Sequence, residues 1–243
     1  MADITIKFIG TGDAFGSGGR LQACMLVDTP DARFTLDFGC TSLVGLRNLG
    51  INPDSIDGIL LTHFHGDHCG GVPFFLMDSM LGAKRDRELT IAGPEGTEDH
   101  LARLHEVLFP GSSVMVPGFP VNYIELIPEE TVQVMGLELT SIQARHTAET
   151  FPLAFRIETN GRSVVYTGDG EFTEELNELA EGADLLIAES YFHSKKVKWH
   201  LNYPDVKKLS PKKVVLTHMH AEMLSHASEV PEICAYDGFV LSV

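Results

Sequence analysis

Basic residues are scarce in this 243-residue sequence, which carries 18 Lys and Arg against 34 Asp and Glu for a net charge of −16. A negative field of this size repels polyanions and slows the capture of nucleic acid, so we do not expect a nucleic-acid partner. Bound metal ions would offset the charge locally. A small anionic substrate therefore remains compatible with the composition.

Membrane and targeting segments are also missing from the sequence. No apolar run approaches the roughly 18 residues that a membrane-spanning helix needs. Met1-Ala2-Asp3 leads directly into strand-like residues 4–8, so we expect no secretory signal and a cytoplasmic protein. The four cysteines include no CxxC pair, which indicates reduced thiols. No low-complexity linker divides the chain, and we expect residues 1–243 to form one domain.

Groups able to bind metal are concentrated in residues 62–68 (THFHGDH), after the apolar run 58–61 that predicts a buried strand. His63 and His65 are two apart, so at a strand end they point the same way and can hold one cation. Asp67 and His68 follow Gly66, which we expect to give the backbone room to turn, and they can face a second cation. Cys69 beside them is expected to be a buried thiol. The pattern predicts two neighbouring metal sites.

This His-x-His-x-Asp-His motif resembles the signature of the metallo-β-lactamase superfamily of two-metal hydrolases. Further landmarks of that superfamily recur in order at residues 8–12 (FIGTG), 16–20 (GSGGR), 36–39 (LDFG), 93–96 (GPEG), 167–170 (TGDG) and 216–218 (LTH). The pattern is most similar to the ribonuclease Z and cyclic phosphodiesterase branch. The resemblance implies an αββα sandwich of the α/β class, in which two packed mixed β-sheets carry helices on their outer faces. It also implies two divalent metal ions, zinc before manganese or iron.

The same resemblance completes the ligand set. His146 ends an alternating strand at the position of the family's third histidine, and Asp169 lies where the family has a carboxylate bridging both cations. For the last ligand the Leu-Thr-His pattern favours His218, with His220 as the alternative. The implied assignment is His63, His65, His146 and Asp169 on one metal, and Asp67, His68, Asp169 and His218 on the other. Asp37 is expected to orient the histidine turn through hydrogen bonds and not to bind metal.

Two cations about 3.5 Å apart would give the site a catalytic role, because they would share a water and lower its pKa towards neutrality. The resulting bridging hydroxide would attack the substrate. Asp67 would also steer the proton of the nucleophile. The segment from Glu189 to His200 resembles a ribonuclease Z-like pattern in which a carboxylate orients a catalytic histidine. We therefore expect His200, oriented by Glu189, to protonate the leaving group, with His193 as the alternative.

Four functions are compatible with such a site. A metal-dependent hydrolase of a small phosphodiester ranks first, and a lactonase or thioesterase acting on a carbonyl substrate is the alternative. A tRNA 3′-processing endonuclease is disfavoured, because His146 and Asp169 are only 23 positions apart (169 − 146), which leaves no room for a protruding tRNA-binding arm. The Thr-His-Met-His ending also departs from the Ser-Arg-Tyr ending of ribonuclease Z. A diiron redox protein would typically carry an acidic residue in place of His65. The sequence leaves a homodimer open.

Three further segments carry structural expectations. Residues 71–87 have the pattern of one amphipathic helix, and residues 131–144 that of one strand. Residues 110–120 are rich in Gly, Ser and Pro, and we expect them to form a mobile loop that folds over the mouth of the site.

Overall fold

The computed structural model describes residues 4–243, so the expectation drawn from residues 1–3 lies outside the described residues. The chain forms two seven-stranded sheets that pack face to face, with helices on their outer faces. This is the αββα sandwich expected from the sequence, and the predicted fold class is confirmed. Within the described residues, no helix has the length and apolarity needed to cross a bilayer.

The first sheet has the strand order β14-β1-β2-β3-β4-β5-β6. Its strands are β1 (Thr5–Gly10), β2 (Cys24–Asp28), β3 (Arg33–Leu36), β4 (Gly58–Leu60), β5 (Leu89–Gly93), β6 (Val121–Glu125) and β14 (Val240–Ser242). Pairing is antiparallel from β14 to β3 and parallel from β3 to β6. The sheet is therefore mixed, with an antiparallel part formed by β14 to β3 and a parallel part formed by β3 to β6.

The second sheet repeats this arrangement, in the order β13-β12-β11-β10-β9-β8-β7. Its strands are β7 (Thr131–Val134), β8 (Leu137–Gln143), β9 (Leu153–Thr159), β10 (Arg162–Tyr166), β11 (Leu185–Glu189), β12 (Val214–Thr217) and β13 (Ile233–Cys234). Strands β7 to β10 pair antiparallel, and β10 to β13 pair parallel. In both sheets the carboxyl ends of parallel neighbours lie at one edge, which is where α/β sheets present functional side chains.

Apolar side chains fill three layers. The layer between the sheets contains residues of both, such as Phe34, Leu60 and Phe155. The two chain neighbours of Leu60, which are Ile59 and Leu61, face the outer layer instead. This is expected of a strand such as β4 that is buried on both faces. Every one of these side chains is fully buried. Strand β4 is therefore held rigidly from both sides at the point where the histidine motif begins.

The helices cover the outer faces. Helices α1 (Ser42–Asn48), α3 (Val72–Met77) and α4 (Thr97–Leu108) pack on the first sheet, and the short α2 (Gly66–Cys69) lies within the metal motif. Helices α5 (Glu174–Ala180), α6 (Tyr203–Val206) and α7 (Ala221–Ser225) pack on the second sheet.

Two predicted elements are wrong in extent. In the region predicted as one helix over residues 71–87, the α-helix ends at Met77. The chain then forms a π-helical turn over Asp78–Gly82, and the residues after it are irregular. There the Arg85 guanidinium donates to the carbonyl oxygen of Ile56 and fixes the irregular backbone. The strand predicted over residues 131–144 is a hairpin, because Met135 and Gly136 both adopt left-handed backbone, with φ of 52° and 79°. That is the geometry of a two-residue type I′ turn.

The segment 110–120 does not have the environment expected of a loop over the site. The carboxylate of Glu106 on α4 accepts hydrogen bonds of 2.8 Å from the backbone N–H groups of Gly111 and Ser113. Phe119 is buried in the outer core layer of the first sheet. The structure therefore places this segment against α4.

Candidate metal centre and active site

The histidine motif leaves strand β4 as extended chain and then enters α2. His63 and His68 are fully buried, Asp67 is nearly so, and His65 is half-buried at the start of α2. His146 follows the end of β8, Asp169 follows β10, and His218 follows β12. These strand ends lie at one edge of the sandwich, so seven side chains predicted from the sequence as metal ligands are brought together there.

Three of these side chains form a histidine group, defined as His63, His65 and His146. The Nδ1 atom of His65 lies 3.2 Å from Nε2 of His63 and 3.1 Å from Nε2 of His146. The three rings meet edge to face, with centroids 4.9–5.1 Å apart. Nitrogen atoms this close together converge on one point, which suits a single cation.

The other four side chains form a mixed group, defined as Asp67, His68, Asp169 and His218. Nε2 of His68 lies 3.3 Å from Nε2 of His218, 3.4 Å from Oδ2 of Asp67 and 3.3 Å from Oδ1 of Asp169. Nε2 of His218 lies 3.2 Å from Oδ2 of Asp67 and 3.5 Å from Oδ1 of Asp169. These are five edges of a tetrahedron, and ligands about 2.0–2.1 Å from a zinc ion would be about 3.3 Å apart.

The donors present fit a pair of divalent cations. Oδ1 of Asp169 is buried and has no hydrogen-bond partner within residues 4–243, although it lies among the imidazole nitrogens of the mixed group. A buried carboxylate oxygen without a partner is costly unless a cation or a proton occupies the space beside it. The structure groups Asp169 with the mixed set and not with the histidine group. Its expected bridging position is therefore a proposal.

Electrostatics separates the two groups. Burial, reinforced by the neighbouring imidazoles, lowers the pKa of His63 well below its usual value, and burial also lowers the pKa of His65. For His68 and His218 burial acts in the same direction. The surrounding carboxylates, Asp169 first, outweigh it and raise the pKa of both histidines well above the usual value. Without metal, His63 and His65 therefore favour their neutral forms, whereas His68 and His218 favour their protonated forms.

Asp37 belongs to neither group but connects them through hydrogen bonds. Its buried carboxylate accepts hydrogen bonds from the backbone N–H and hydroxyl of Thr62, from Nδ1 of His68 at 2.7 Å and from the hydroxyl of Tyr166 at 2.7 Å. The Thr62 hydroxyl in turn lies 3.0 Å from Nδ1 of His63. This agrees with the expected orienting role of Asp37, because its bonds leave Nε2 of both histidines facing the cluster.

A backbone carbonyl orients the third histidine. Nδ1 of His146 lies 2.5 Å from the carbonyl oxygen of Trp199, and the backbone N–H of Trp199 donates to Glu171 at 2.9 Å. Trp199 has left-handed backbone, with φ of 68°, so its conformation is one that surrounding contacts must hold. Its carbonyl thus leaves Nε2 of His146 free for metal.

The predicted acid and its carboxylate lie together beside the mixed group. Nδ1 of His200 is 2.5 Å from Oε1 of Glu189 and 3.7 Å from Oδ2 of Asp169. Burial alone would lower the pKa of His200, but the Glu189 carboxylate outweighs burial and raises it. The ring of Tyr191 stacks on His200, with centroids 4.4 Å apart and planes 17° apart. His200 is therefore fixed in orientation and favours its protonated form.

The alternatives raised from the sequence occupy other environments. The ring of His220 accepts a hydrogen bond from the backbone N–H of Glu222 at the start of α7, while His218 belongs to the mixed group. His193 lies against His226 and Tyr203. Cys69 is buried with its Sγ atom 4.0 Å from the ring of His100, and burial raises its pKa to about 12.

The reason given for Gly66 is wrong. Gly66 does not have a positive φ, and a Cβ atom there would meet nothing within 4 Å. A glycine is required instead at Gly39, where a Cβ atom would lie 2.2 Å from the carbonyl oxygen of Asp67, and at Gly70 and Gly71, which also lie against backbone atoms. Sequence reasoning also missed Thr62, Tyr166, Tyr191 and Trp199. Thr62 is the first residue of the predicted motif 62–68 and Tyr166 directly precedes the motif 167–170. The contact of Trp199 is made by its backbone and has no signal in the sequence.

Comparison with known proteins places this geometry in a family. Residues 4–234 match the family described as anti-Pycsar protein Apyc1. Among curated proteins, ribonuclease Z of Latilactobacillus sakei is 28% identical over 92% of this chain and 86% of that protein. Ribonuclease Z of Lachnoclostridium phytofermentans is also 28% identical, but the match covers 68% of this chain and only 51% of that protein.

Solved structures show the same fold. The metallo-β-lactamase fold protein YhfI from Bacillus subtilis superposes with a TM-score of 0.82 at 19% identity, covering all of both chains. The short form of human tRNase Z gives 0.79 at 22% identity, covering 98% of this chain and 99% of that one. A diphosphatase of the PhnP family gives 0.75 at 20% identity, covering 98% and 97%. The chain has the metallo-β-lactamase fold, and its similarity to ribonuclease Z agrees with the resemblance seen in the sequence.

Proposed function

The chain belongs to the Apyc1 family of anti-Pycsar proteins, and from that premise and the geometry of its site we propose that it is a metal-dependent hydrolase of a small phosphodiester, such as a cyclic nucleotide. The observation that carries this proposal is the Glu189–His200 pair beside the mixed group. It supplies a proton donor at the same edge as the metal-binding side chains. Such a donor matters most when the leaving group is a poor one, as an alkoxide leaving phosphorus is.

The residues that would hold the metals are those of the two groups. His63, His65 and His146 would bind one cation, Asp67, His68 and His218 the other, and Asp169 would serve both. Two divalent cations, zinc before manganese or iron, would supply Lewis acidity that activates water and neutralises charge on the substrate. Three of the five histidines, His63, His68 and His146, have Nδ1 within hydrogen-bond distance of an oxygen atom of Thr62, Asp37 or Trp199. This supports the assignment, because a ligand histidine usually donates its other nitrogen to such an acceptor.

The reaction then depends on protons held at stated atoms. Glu189 occupies Nδ1 of His200, so Nε2 is the atom that can donate a proton to the departing oxygen. The carboxylate of Glu189 raises the pKa of His200 and so favours retention of that proton. Within the mixed group, Asp67 would steer the proton of the attacking water. The stacked ring of Tyr191 restricts the orientation of the donor.

A tRNA-processing activity is the second candidate, since both curated relatives described above are named ribonuclease Z. Two observations weigh against it. The chain between His146 and Asp169 is taken up by the β9–β10 hairpin, which turns at Asn160 and Gly161 and includes no protruding arm. The net charge of −16 opposes binding of a polyanion. A small phosphodiester satisfies both observations.

The proposal is tested by comparing substrates on the metal-loaded protein. We expect bis(p-nitrophenyl) phosphate or a 3′,5′-cyclic nucleotide to be hydrolysed faster than a lactone or a thioester, and precursor tRNA not to be cleaved. Faster turnover of a lactone or thioester would overturn the phosphodiester assignment in favour of a carbonyl substrate. Cleavage of precursor tRNA in preference to every small diester would favour the second candidate.

The proton donor is tested separately with His200→Ala. A positioned general acid typically contributes about 10²–10⁴-fold, so an unactivated cyclic nucleotide should lose a rate of that order. The p-nitrophenyl diester should lose far less, because its leaving group departs without protonation. Metal content, measured by elemental analysis, should not change. His105→Ala on α4, outside the cluster, is the matched control. Equal slowing of both substrates would show that His200 is not the acid.

A further inference from the structure

We propose that His193, His226 and Glu229 form an additional metal site, separate from the hydrolytic centre, that binds a transition-metal ion such as Zn²⁺. One donor atom from each of the three side chains lies within 4.8 Å of the other two. None of the three belongs to the histidine group or the mixed group. The site would connect the segment before His200 to the chain that follows α7.

The two histidine rings are already side by side. The rings of His193 and His226 have centroids 4.3 Å apart and planes 17° apart. Nδ1 of His226 lies 2.9 Å from Oε2 of Glu229. A hydrogen-bonded His and Glu three residues apart is common on a protein surface. His193, however, comes 33 residues earlier in the chain (226 − 193), so the fold is what brings a second imidazole to the pair.

The position of His193 is fixed independently of any ion. Its backbone N–H donates to Oε2 of Glu222 on α7 at 2.8 Å. Its ring also lies parallel to that of Tyr203, with planes 14° apart and centroids 5.4 Å apart. The hydroxyl of Tyr203 donates to Glu232 at 2.8 Å. Because these contacts hold one imidazole in place, less side-chain freedom is lost when a metal binds.

The donor set indicates which ions would bind. Two imidazoles and one carboxylate form the ligand set of open zinc sites, with water in the fourth position. Imidazole nitrogen favours Zn²⁺, Ni²⁺ and Cu²⁺ over Mg²⁺ and Ca²⁺, which prefer oxygen ligands. The side chains of His226 and Glu229 are 35% and 59% exposed, so an ion can enter from solvent.

The consequence for the molecule lies in the connection between β11 and α6, residues 190–202. The two ends of this loop are joined by hydrogen bonds from Tyr191 N–H to the carbonyl of Leu201 and from Tyr203 N–H to that of Phe192. The chain between these ends carries His193, three lysines, Trp199 and His200. A metal ion on His193 would fasten this loop to the segment after α7, at the opposite end of the loop from His200.

The stoichiometry of zinc binding provides the first test. The full-length protein and its variants are dialysed to equilibrium against a series of free Zn²⁺ concentrations, and bound zinc is measured by elemental analysis. We expect His226→Ala and Glu229→Gln each to bind one ion fewer per chain than the unaltered protein. Glu232→Gln, which lies outside the donor set and keeps an oxygen that can accept from the Tyr203 hydroxyl, and His105→Ala should bind as many ions as the unaltered protein. Equal zinc content in all five proteins would overturn the proposal.

Protection of the loop from trypsin provides the second test. Lys195, Lys196 and Lys198 lie between His193 and His200, so trypsin cuts the loop when it opens. With the hydrolytic centre already loaded, added Zn²⁺ should slow this cleavage in the unaltered protein and in Glu232→Gln, but not in His226→Ala. Unchanged cleavage in the unaltered protein would mean that no ion fastens the loop. Neither readout depends on hydrolysis, so both remain informative if the proposed substrate is wrong.

Discussion

Asp37→Asn offers the sharpest test of how the metal centre is organised. The substitution keeps the shape of the side chain but replaces one acceptor oxygen with an NH₂ group, which can only donate. Oδ1 of Asp37 accepts from the Thr62 backbone, while Oδ2 accepts from His68 and Tyr166. If the amide keeps its oxygen towards Thr62, its NH₂ group replaces the charged oxygen that accepts from His68 and Tyr166, in a site with no solvent exposure.

The expected loss follows from those two bonds. A hydrogen bond to a charged group is worth about 1.5–3 kcal/mol, so losing two should lower the free energy of unfolding by about 3–6 kcal/mol. Nδ1 of His68 would also lose the acceptor that holds Nε2 towards the cluster. Removing such a support for a metal ligand typically costs about 10–100-fold in metal affinity. The ion held by the mixed group should therefore bind that much more weakly.

Urea denaturation of the metal-free protein separates the folding effect from the metal effect, and titration of the folded variant with Zn²⁺ measures affinity. Tyr166→Phe is the matched control, because it removes one donor to Asp37 and leaves the bond to His68 in place. It should cost about 1.5–3 kcal/mol of stability, the value of a single hydrogen bond to a charged group, with unchanged metal affinity. If Asp37→Asn binds zinc as tightly as the unaltered protein, Asp37 does not orient His68.

Two further predictions concern the turn and the protons of the cluster. Gly39→Ala places a Cβ atom 2.2 Å from the carbonyl oxygen of Asp67, so it should displace that ligand and lower both metal content and activity, whereas Gly66→Ala should change neither. Metal bound by the mixed group should displace protons from His68 and His218, whose pKa values are raised, so its apparent affinity should increase with pH up to those pKa values. In the histidine group, His63 and His65, whose pKa values are lowered, should release few protons when metal binds near neutral pH. Calorimetric titrations in buffers of different ionisation enthalpy count those protons, and equal release from both groups would contradict the assignment.

The parts of the molecule that could be predicted from sequence are those with local signals. Residues 62–68 follow an apolar strand, and each later landmark also follows one, so the strand ends and the side chains that they carry could be identified along the chain. The sandwich followed from the order of the elements and from the resemblance. The errors in residues 71–87 and 131–144 arose because apolar periodicity continued through a π-helical turn and through a hairpin at Met135 and Gly136.

Contacts made by the backbone, or between residues far apart in the chain, could not be predicted in this way. The carbonyl of Trp199 accepts from His146, which is 53 residues earlier, and any residue type could supply that oxygen. Tyr166 faces inward from β10 and appears in sequence as one more apolar strand position, although its hydroxyl reaches Asp37. The meeting of His193 with His226 likewise depends on how α7 packs against the loop before it.

The relation between the proton donor and the metal cluster comes from sheet topology. Strands β10, β11 and β12 are parallel neighbours, so Asp169, Glu189 and His218, which lie at or just after their ends, are side by side. The Oε2 atom of Glu189 accepts from the backbone N–H groups of Gly170 and Leu201, while Oε1 faces His200. One buried carboxylate therefore fixes both the turn after Asp169 and the loop that carries His200. Because the same group fixes both, a shift of the metal ligand at this edge also shifts the donor.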